Sequence, residues 1–341
     1  MRVVVAVPVR DEEDGLPCLL HALATQDGTS DKNVSLHLLF DGCTDRGVVI
    51  AEAFFAEHTL AGGLSVIHRS VRPNAGRARG ASAELAISHL DGCSEAILLT
   101  TDADTVPASD WVARSVDALR FVDVIAGYTS RDRATDLLTR DALETYLEDL
   151  HGLRRRIDRI PYDPAPSHPW VGGANLGMRL TAYRALGGFR QLETSEDNDL
   201  VDRARHAGLR VRHAREVRVT TSSRTTGRAR GGLADALKHM QDEVSEPRVE
   251  HPCDAAQQYA RHAMARRAYH LTESAFDWRA LESALGAEDD LWSLACKSVN
   301  AEAFVMKAVP HHPTKRDLPL SVAHRVLATL KAEQFIDHAN A

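Results

Sequence analysis

Four short apolar runs punctuate the N-terminal third of the chain, and each gives way to polar residues before a segment of helical period begins. They lie at residues 2–9, 36–40, 64–68 and 96–101. The first reads Arg2-Val3-Val4-Val5-Ala6-Val7-Pro8-Val9 and the last Ala96-Ile97-Leu98-Leu99-Thr100-Thr101. Such unbroken runs suit strands covered on both faces, as in a parallel sheet, better than strands with one wet face. Between them, Leu16, Leu19, Leu20 and Leu23 recur at helical spacing, residues 47–58 read as helix, and an alanine-rich segment continues to Leu90. Strand and helix in alternation predict βαβ units, hence an α/β fold on a mostly parallel sheet flanked by helices.

In open α/β sheets ligands collect outside the carboxyl ends of the strands. Here those ends carry acids: Arg10-Asp11-Glu12-Glu13 after the first run, Asp41-Gly42-Cys43-Thr44-Asp45 after the second, Asp102-Ala103-Asp104 after the fourth. No G-x-G-x-x-G follows the first strand and no G-x-x-x-x-G-K-[ST] occurs, which removes the standard dinucleotide and P-loop sites. Two carboxylates one residue apart at a strand end fit a divalent cation that holds nucleotide phosphates. Taken alone they fit two solvated turn acids better.

Beyond Pro107 the pattern predicts a helix over 110–121, a strand over 122–128 and a long amphipathic helix over 136–157, followed by a proline-rich loop. Trp170 to Arg179 is dense in glycine, which lets a ligand or another backbone approach closely. Glu196, Asp197 and Asp199 crowd the start of a helix that Gly208 closes, where acids favour the dipole and serve as caps. Residues 210–213 and 217–220 read as two short edge strands. Thr221 to Gly232 is a basic, glycine-rich loop of the kind that suits phosphate oxygens. From Leu233 onward the long segments read as helix, so the expected division is a sheet domain at 1–230 and a helical C-terminal region at 231–341 packed on it.

The 341-residue chain has 44% apolar and 26% charged residues, within the soluble globular range. A net charge of −7 argues against nucleic acid as partner. No apolar run approaches the ~20 residues of a membrane span, and the N-terminus lacks a signal-peptide pattern. Five cysteines without C-x-x-C spacing read as reduced thiols of a cytoplasmic protein with no zinc site.

Taken together these segments resemble family 2 glycosyltransferases of the GT-A fold, a Rossmann-like architecture. The likeness rests on Val7 to Glu13, Asp41 to Asp45, Asn74-Ala75-Gly76-Arg77-Ala78-Arg79-Gly80, Asp102 to Asp104, Gly173 to Arg179, Gly187-Gly188-Phe189 and Glu196-Asp197-Asn198-Asp199-Leu200. It spans roughly residues 1–230. It implies that Asp41 hydrogen-bonds the base of a nucleotide, with Pro8, Glu12 and Arg77 in the same pocket. By the same likeness Asp102 meets the ribose, Asp104 binds Mg²⁺ or Mn²⁺, Asn175 and Glu196 contact substrate, and Asp197 is the general base. The implied reaction transfers a sugar, with inversion, from a nucleotide-diphosphate donor (a UDP-sugar favoured) to an unknown acceptor hydroxyl. A hard cation needs only one or two carboxylates plus phosphates, and it removes the need for a strong leaving-group acid.

The chain departs from the family in places. Many relatives place a metal-binding histidine after the last sheet strand, where this chain has Val219-Thr220-Thr221-Ser222; the nearest, His213, comes early and suits partial burial or the surface better. Arg224 and Arg228 are expected to hold the diphosphate instead. The Q-x-x-R-W motif of processive membrane synthases is absent, so addition of one sugar is expected. Trp170 suits sugar stacking and loop packing equally. Two rival readings are a sugar-phosphate nucleotidyltransferase, which wants a glycine-rich basic loop where Arg10 to Glu13 stand, and a nucleotide-sugar-binding protein without turnover.

Overall fold

A computed structural model describes residues 2–27, 33–67, 74–90, 92, 95–132, 138–224, 246–271, 276–310 and 316–339. These form two compact units. The first takes 1–135, 170–204 and 210–239, and the second 136–169, 205–209 and 240–341.

Among the described residues the first unit is built on an eight-stranded sheet whose strands lie side by side in the order 61–67, 33–41, 2–9, 96–100, 176–179, 124–131, 211–221 and 105–107. Its opening half follows the sequence rhythm: β1 (Arg2–Val9), α1 (Leu16–Ala24), β2 (Asn33–Asp41), α2 (Gly47–Glu57), β3 (Ala61–Ile67), α3 (Ala75–Ser88) and β4 (Ala96–Thr100). β1 pairs in parallel with β2 and β4, and β2 with β3. Val3 to Val7 and Leu98 to Leu99 are sealed from solvent, and Leu16, Leu19, Leu20 and Leu23 of α1 are buried. Each such leucine contributes about 1.5–3 kcal/mol by leaving water, so the apolar runs and the helical stripe account for this layer.

The second half of the unit adds β5 (Thr105–Pro107), α4 (Trp111–Ala118) and β6 (Val124–Arg131). After the segment that belongs to the second unit come β7 (Leu176–Arg179), α6 (Leu180–Ala185), α7 (Glu196–His206) and β8 (Val211–Thr221), so the long helix between them is α5 (Leu138–Ile157). β7 runs antiparallel between β4 and β6.

The two edge strands expected at 210–213 and 217–220 are one strand, and it is internal: β8 pairs with β6 on one side and β5 on the other. The register jumps from Gly127↔Ala214 to Tyr128↔Arg218, leaving Arg215 to Val217 as a bulge. That bulge is what the sequence pattern mistakes for a break. Bulges recur beside active sites because they re-aim the chain. Asn175 holds this one shut: its Nδ2 donates to the carbonyls of Tyr128 and Val217, both at 3.0 Å, and its Oδ1 accepts from Trp111 Nε1 at 2.9 Å. A Cβ on Gly127 would lie 2.4 Å from that amide, so only glycine leaves the room.

In the second unit α5 packs with α8 (Pro252–Tyr269) and α12 (Leu320–Ala339), around Tyr146, Leu150, Leu153, Ala255, Ala323 and Leu327. A neighbouring cluster joins α9 (Trp278–Leu285), α10 (Leu291–Lys297) and α11 (Ala301–Ala308) through Leu281, Leu285, Leu291, Phe304 and Val305. β9 (Arg248–Glu250) and β10 (Asp317–Pro319) form a small antiparallel ladder. Among the described residues no helix is long and apolar enough to cross a membrane.

Asn175→Ala would strip the buried indole N–H of Trp111 and two bulge carbonyls of their partners. Unsatisfied buried groups cost about 1–3 kcal/mol each, so with three of them a loss of at least about 3 kcal/mol is expected, read as a lower urea midpoint at unchanged slope.

Candidate active site

The carboxyl ends of β2, β1 and β4 lie side by side in the sheet, and this adjacency gathers residues that are far apart in sequence. Pro8 lies near the end of β1 and Glu12 just beyond it; buried Asp41 ends β2, and Asp102 and Asp104 follow β4. Arg77 sits in the first turn of α3, its N–H capped by Asn74 Oδ1 at 2.7 Å.

The centre of the group is Arg79, a residue of the Asn74 to Gly80 motif to which the sequence alone assigns no role. It lies on the face of α3 that buries Gly76, Ser82, Ala83 and Ala86. Its Nε donates to Glu196 at 2.8 Å, and its Nη1 donates to Asp102 at 2.9 Å and to the carbonyl of Gly173 at 3.0 Å. Burial alone would pull the Arg79 pKa down. Asp102 and Glu196 outweigh it, and the pKa is raised. A Cβ at Gly173 would lie 2.2 Å from the guanidinium carbon, so the glycine at 173 is required by this cation. An arginine inside a stripe of glycine, serine and alanine at helical spacing is the signal that marks it in the sequence.

Asp197 adjoins this cluster. Its Oδ2 accepts the N–H of Gly173 at 2.8 Å, and its Oδ1 accepts the N–H of Asn198 at 2.7 Å. Ser195, just before α7, has φ of 61°, a left-handed conformation rare outside glycine, and it turns the chain so that Glu196 reaches Arg79. The start of α7 and the end of β4 are therefore joined through one guanidinium.

A second arginine closes the other side. Arg224 pairs with Glu12 and stands 3.1 Å from Asp104. The hydrogen bonds that it donates to Glu12 raise its pKa. Asp104 is itself under strain: burial, then the charge of Asp102, raises its pKa to about 6, and Arg224 offsets this only in part.

Some expected site residues are placed differently. Asn175 is 2% exposed and its amide is engaged by protein groups, so it clamps the sheet. Glu196 is 4% exposed and faces Arg79, so it positions α7. His213 pairs with Ala126, at the end of β8 opposite to Thr221, which neighbours Asp104. It is therefore not positioned as a ligand there. Trp170 meets Tyr128 edge-on at 5.6 Å. Arg228 lies outside the described residues.

Among the described residues, three possible metal ligands converge at Asp11, Cys43 and Asp45, with their ligand atoms within 4.8 Å of one another. The chemistry there fits Mg²⁺ or Mn²⁺ poorly. Asp11 already accepts the N–H of Thr44 and Asp45 that of Glu13, both at 2.7 Å, and burial raises the thiol pKa of Cys43. Asp104 fits better: a strained carboxylate with Asp102 and Glu12 nearby is relieved by a hard cation.

The raised pKa of Asp104 has a definite sign. The folded chain holds this proton more tightly than the unfolded chain, so the carboxyl costs stability as pH rises from about 4 to about 6, and that cost persists above. Asp104→Asn is expected to be more stable than wild type near neutral pH by about 1–3 kcal/mol, with the gap closing near pH 4. Equal unfolding free energies at both pH values would contradict the strain.

Residues 97–293 match the family described as "Glycosyl transferase family group 2", and residues 4–172 match "Glycosyl transferase family 2". No protein of curated function matches the chain in sequence. Among solved structures, the chain is similar to S. aureus TarS 1-349 in complex with UDP-GlcNAc, at 14% identity and TM-score 0.50, over 90% of this chain and 88% of that one. It is also similar to the mannosyltransferase PcManGT from Pyrobaculum calidifontis in complex with GDP-Man and Mn²⁺, at 16% identity and TM-score 0.49, over 89% and 77%. The TarS likeness is one of fold, and it agrees with the α/β sheet expected of GT-A architecture. With more than half of its length matched by the family group, the chain belongs to the family 2 glycosyltransferases.

Proposed function

We propose that the first unit transfers one sugar from a nucleoside-diphosphate donor to an acceptor hydroxyl, with inversion at the anomeric carbon, and that Asp197 is the general base. The observation that carries this reading is the Arg79 clamp. Asp102, on the donor side, and the helix start bearing Asp197 are bonded to one guanidinium or to the Gly173 backbone beside it. Inverting transfer needs such an arrangement, because the leaving diphosphate and the deprotonating carboxylate must flank one sugar ring.

Each residue then has a part. Asp41 and Glu12, with Pro8 and Arg77, bound the base pocket at the ends of β1 and β2. Asp102 is pre-set by Arg79 to accept from a ribose hydroxyl. Asp197 keeps its carboxylate oriented through the N–H groups of Gly173 and Asn198 and takes the proton of the acceptor hydroxyl as the new bond forms. Arg224, half-buried and forked, is suited to diphosphate oxygens. Asp104 would hold Mg²⁺ or Mn²⁺, which when bound supplies charge neutralisation of the departing diphosphate. The fold shared with a TarS fragment crystallised with UDP-GlcNAc supports a nucleotide sugar as donor and makes a UDP-sugar the first to test.

Positioned general-base catalysis is worth about 10²–10⁴-fold. Asp197→Asn should therefore lose at least about 10²-fold in turnover while still being stabilised by the nucleoside diphosphate in a thermal-shift panel run with and without Mn²⁺. Turnover near wild type would refute the assignment. Arg224→Met should weaken nucleoside diphosphate more than nucleoside monophosphate, measured by calorimetry. Equal weakening of the two would remove Arg224 from the diphosphate.

A further inference from the structure

Buried charges in the second unit pair off along the seam between α5 and α8 and then stop one turn short. Asp158, just past α5, accepts both Nε and Nη2 of Arg266 from α8 at 2.8 and 3.1 Å. Arg266 also donates to Glu302 at 2.7 Å, and Glu302 takes Arg205 at 2.8 Å. Burial would raise the Glu302 pKa, but the two guanidiniums hold it at about 2. One turn back on each helix stand Arg154 and His262, and among the described residues no carboxylate bonds either. Arg154 instead lies over the ring of Tyr259, 5.5 Å from its centre.

Three buried nitrogens are left there without a hydrogen-bond partner: Arg154 Nε, Arg205 Nη2 and His262 Nδ1. The surrounding hydrogen bonds assign the proton on His262. Gln258 Oε1 accepts from Arg261 at 2.9 Å, so its amide nitrogen is the group that faces His262 Nε2, at 3.2 Å. Nε2 therefore accepts, and Nδ1 of the neutral ring carries the hydrogen. Burial and the charge of Arg205 pull the Arg154 pKa down to about 10. Burial, then Arg154, with Arg205 adding to it, pulls His262 down to about 4. The three side chains thus sit within electrostatic reach of one another, two of them cationic, and all three present N–H groups with no acceptor. Buried donors and unpaired buried cations are each costly, and a group left in this state calls for a bound partner.

We propose that Arg154, Arg205 and His262 form a binding site for a tetrahedral oxyanion of the phosphate class. Water satisfies a donor but does not neutralise Arg154, which among the described residues has no counterpart to the carboxylate that Glu302 gives Arg205. A carboxylate offers two oxygens to three donors on three side chains, whereas phosphate offers one to each and carries the charge that Arg matches best. The site is independent of the donor-sugar reading, because all three residues belong to the second unit.

The test is a thermal-shift and calorimetric titration of the full chain with inorganic phosphate at fixed ionic strength, with chloride as reference. A saturable rise in melting temperature is expected in wild type and in Arg224→Met, but not in Arg154→Met. His262→Phe, a neutral-for-neutral change, should weaken phosphate about tenfold through one lost hydrogen bond to an anion. Should Arg154→Met fail to fold, His262→Phe decides alone. Glycerol 1-phosphate in a parallel arm separates the sources: binding at least as tight as inorganic phosphate identifies a phosphorylated molecule as ligand, and weaker binding identifies the free ion. Stabilisation by phosphate no greater than by chloride would overturn the site. So would wild-type affinity in Arg154→Met or His262→Phe, or loss of the effect in Arg224→Met alone.

Discussion

The geometry of the first unit depends on one buried cation. Arg79 binds carboxylates 23 and 117 residues away in sequence, together with a backbone carbonyl 94 residues away. Three segments that share no strand pairing with α3 are thereby held at hydrogen-bond distance from one point. The energetics are asymmetric. A well-formed buried ion pair adds little net stability over an apolar replacement, while removal of one partner strands the other charge at a cost of about 3–5 kcal/mol. Such a cluster is retained for the arrangement that it enforces. Here the arrangement brings the strand-end acids to the start of α7.

The two arginines of the site differ in what surrounds them. Arg79 has a side chain 9% exposed, with every partner part of the protein, so it orders the scaffold. Arg224 is 29% exposed and offsets an excess of negative charge shared by Glu12, Asp102 and Asp104. A planar fork on a partly exposed stem can exchange carboxylate for phosphate oxygens without change of charge, which a fully buried one cannot. The raised pKa of Asp104 shows that the compensation is incomplete. Incompletely compensated acids at the open end of a sheet are what a cationic or metal-bridged ligand completes.

What the sequence makes legible follows from the range of the forces involved. β1, β2, β4 and α1 are readable because burial on both faces of a parallel sheet leaves continuous apolar runs, and one buried helix face leaves a four-leucine stripe. β8 is read as two strands because Arg215 and Glu216, two adjacent charged residues in the bulge, interrupt its apolar alternation, while the closure of the bulge depends on Asn175, some forty residues distant. The same distance explains Asn175: a glycine-rich neighbourhood suggests ligand contact, but the room made by Gly127 is filled by the asparagine itself. α5 has a plain amphipathic period, yet period alone does not say what its apolar face meets. Tyr146, Leu150 and Leu153 meet α8 and α12, so α5 groups with the C-terminal helices and not with the sheet beside it in sequence.

Among the acids the division is sharper still. Residue type and strand-end position place Glu12, Asp102 and Asp104 at one end of the sheet, because the topology of an open sheet brings strand ends together whatever the details. Separating Glu196 from Asp197 requires the side-chain partners. Both sit in the first turn of α7, and either could serve the dipole. Ser195 in its left-handed conformation aims the first inward to Arg79, which leaves the second on the Gly173 backbone at the rim of the cluster. Neighbours in sequence thus take unlike tasks because one fills the valence of a buried cation. A carboxylate so occupied cannot accept a proton without giving up an ion pair to that buried cation, whereas one held only by backbone and side-chain N–H groups can.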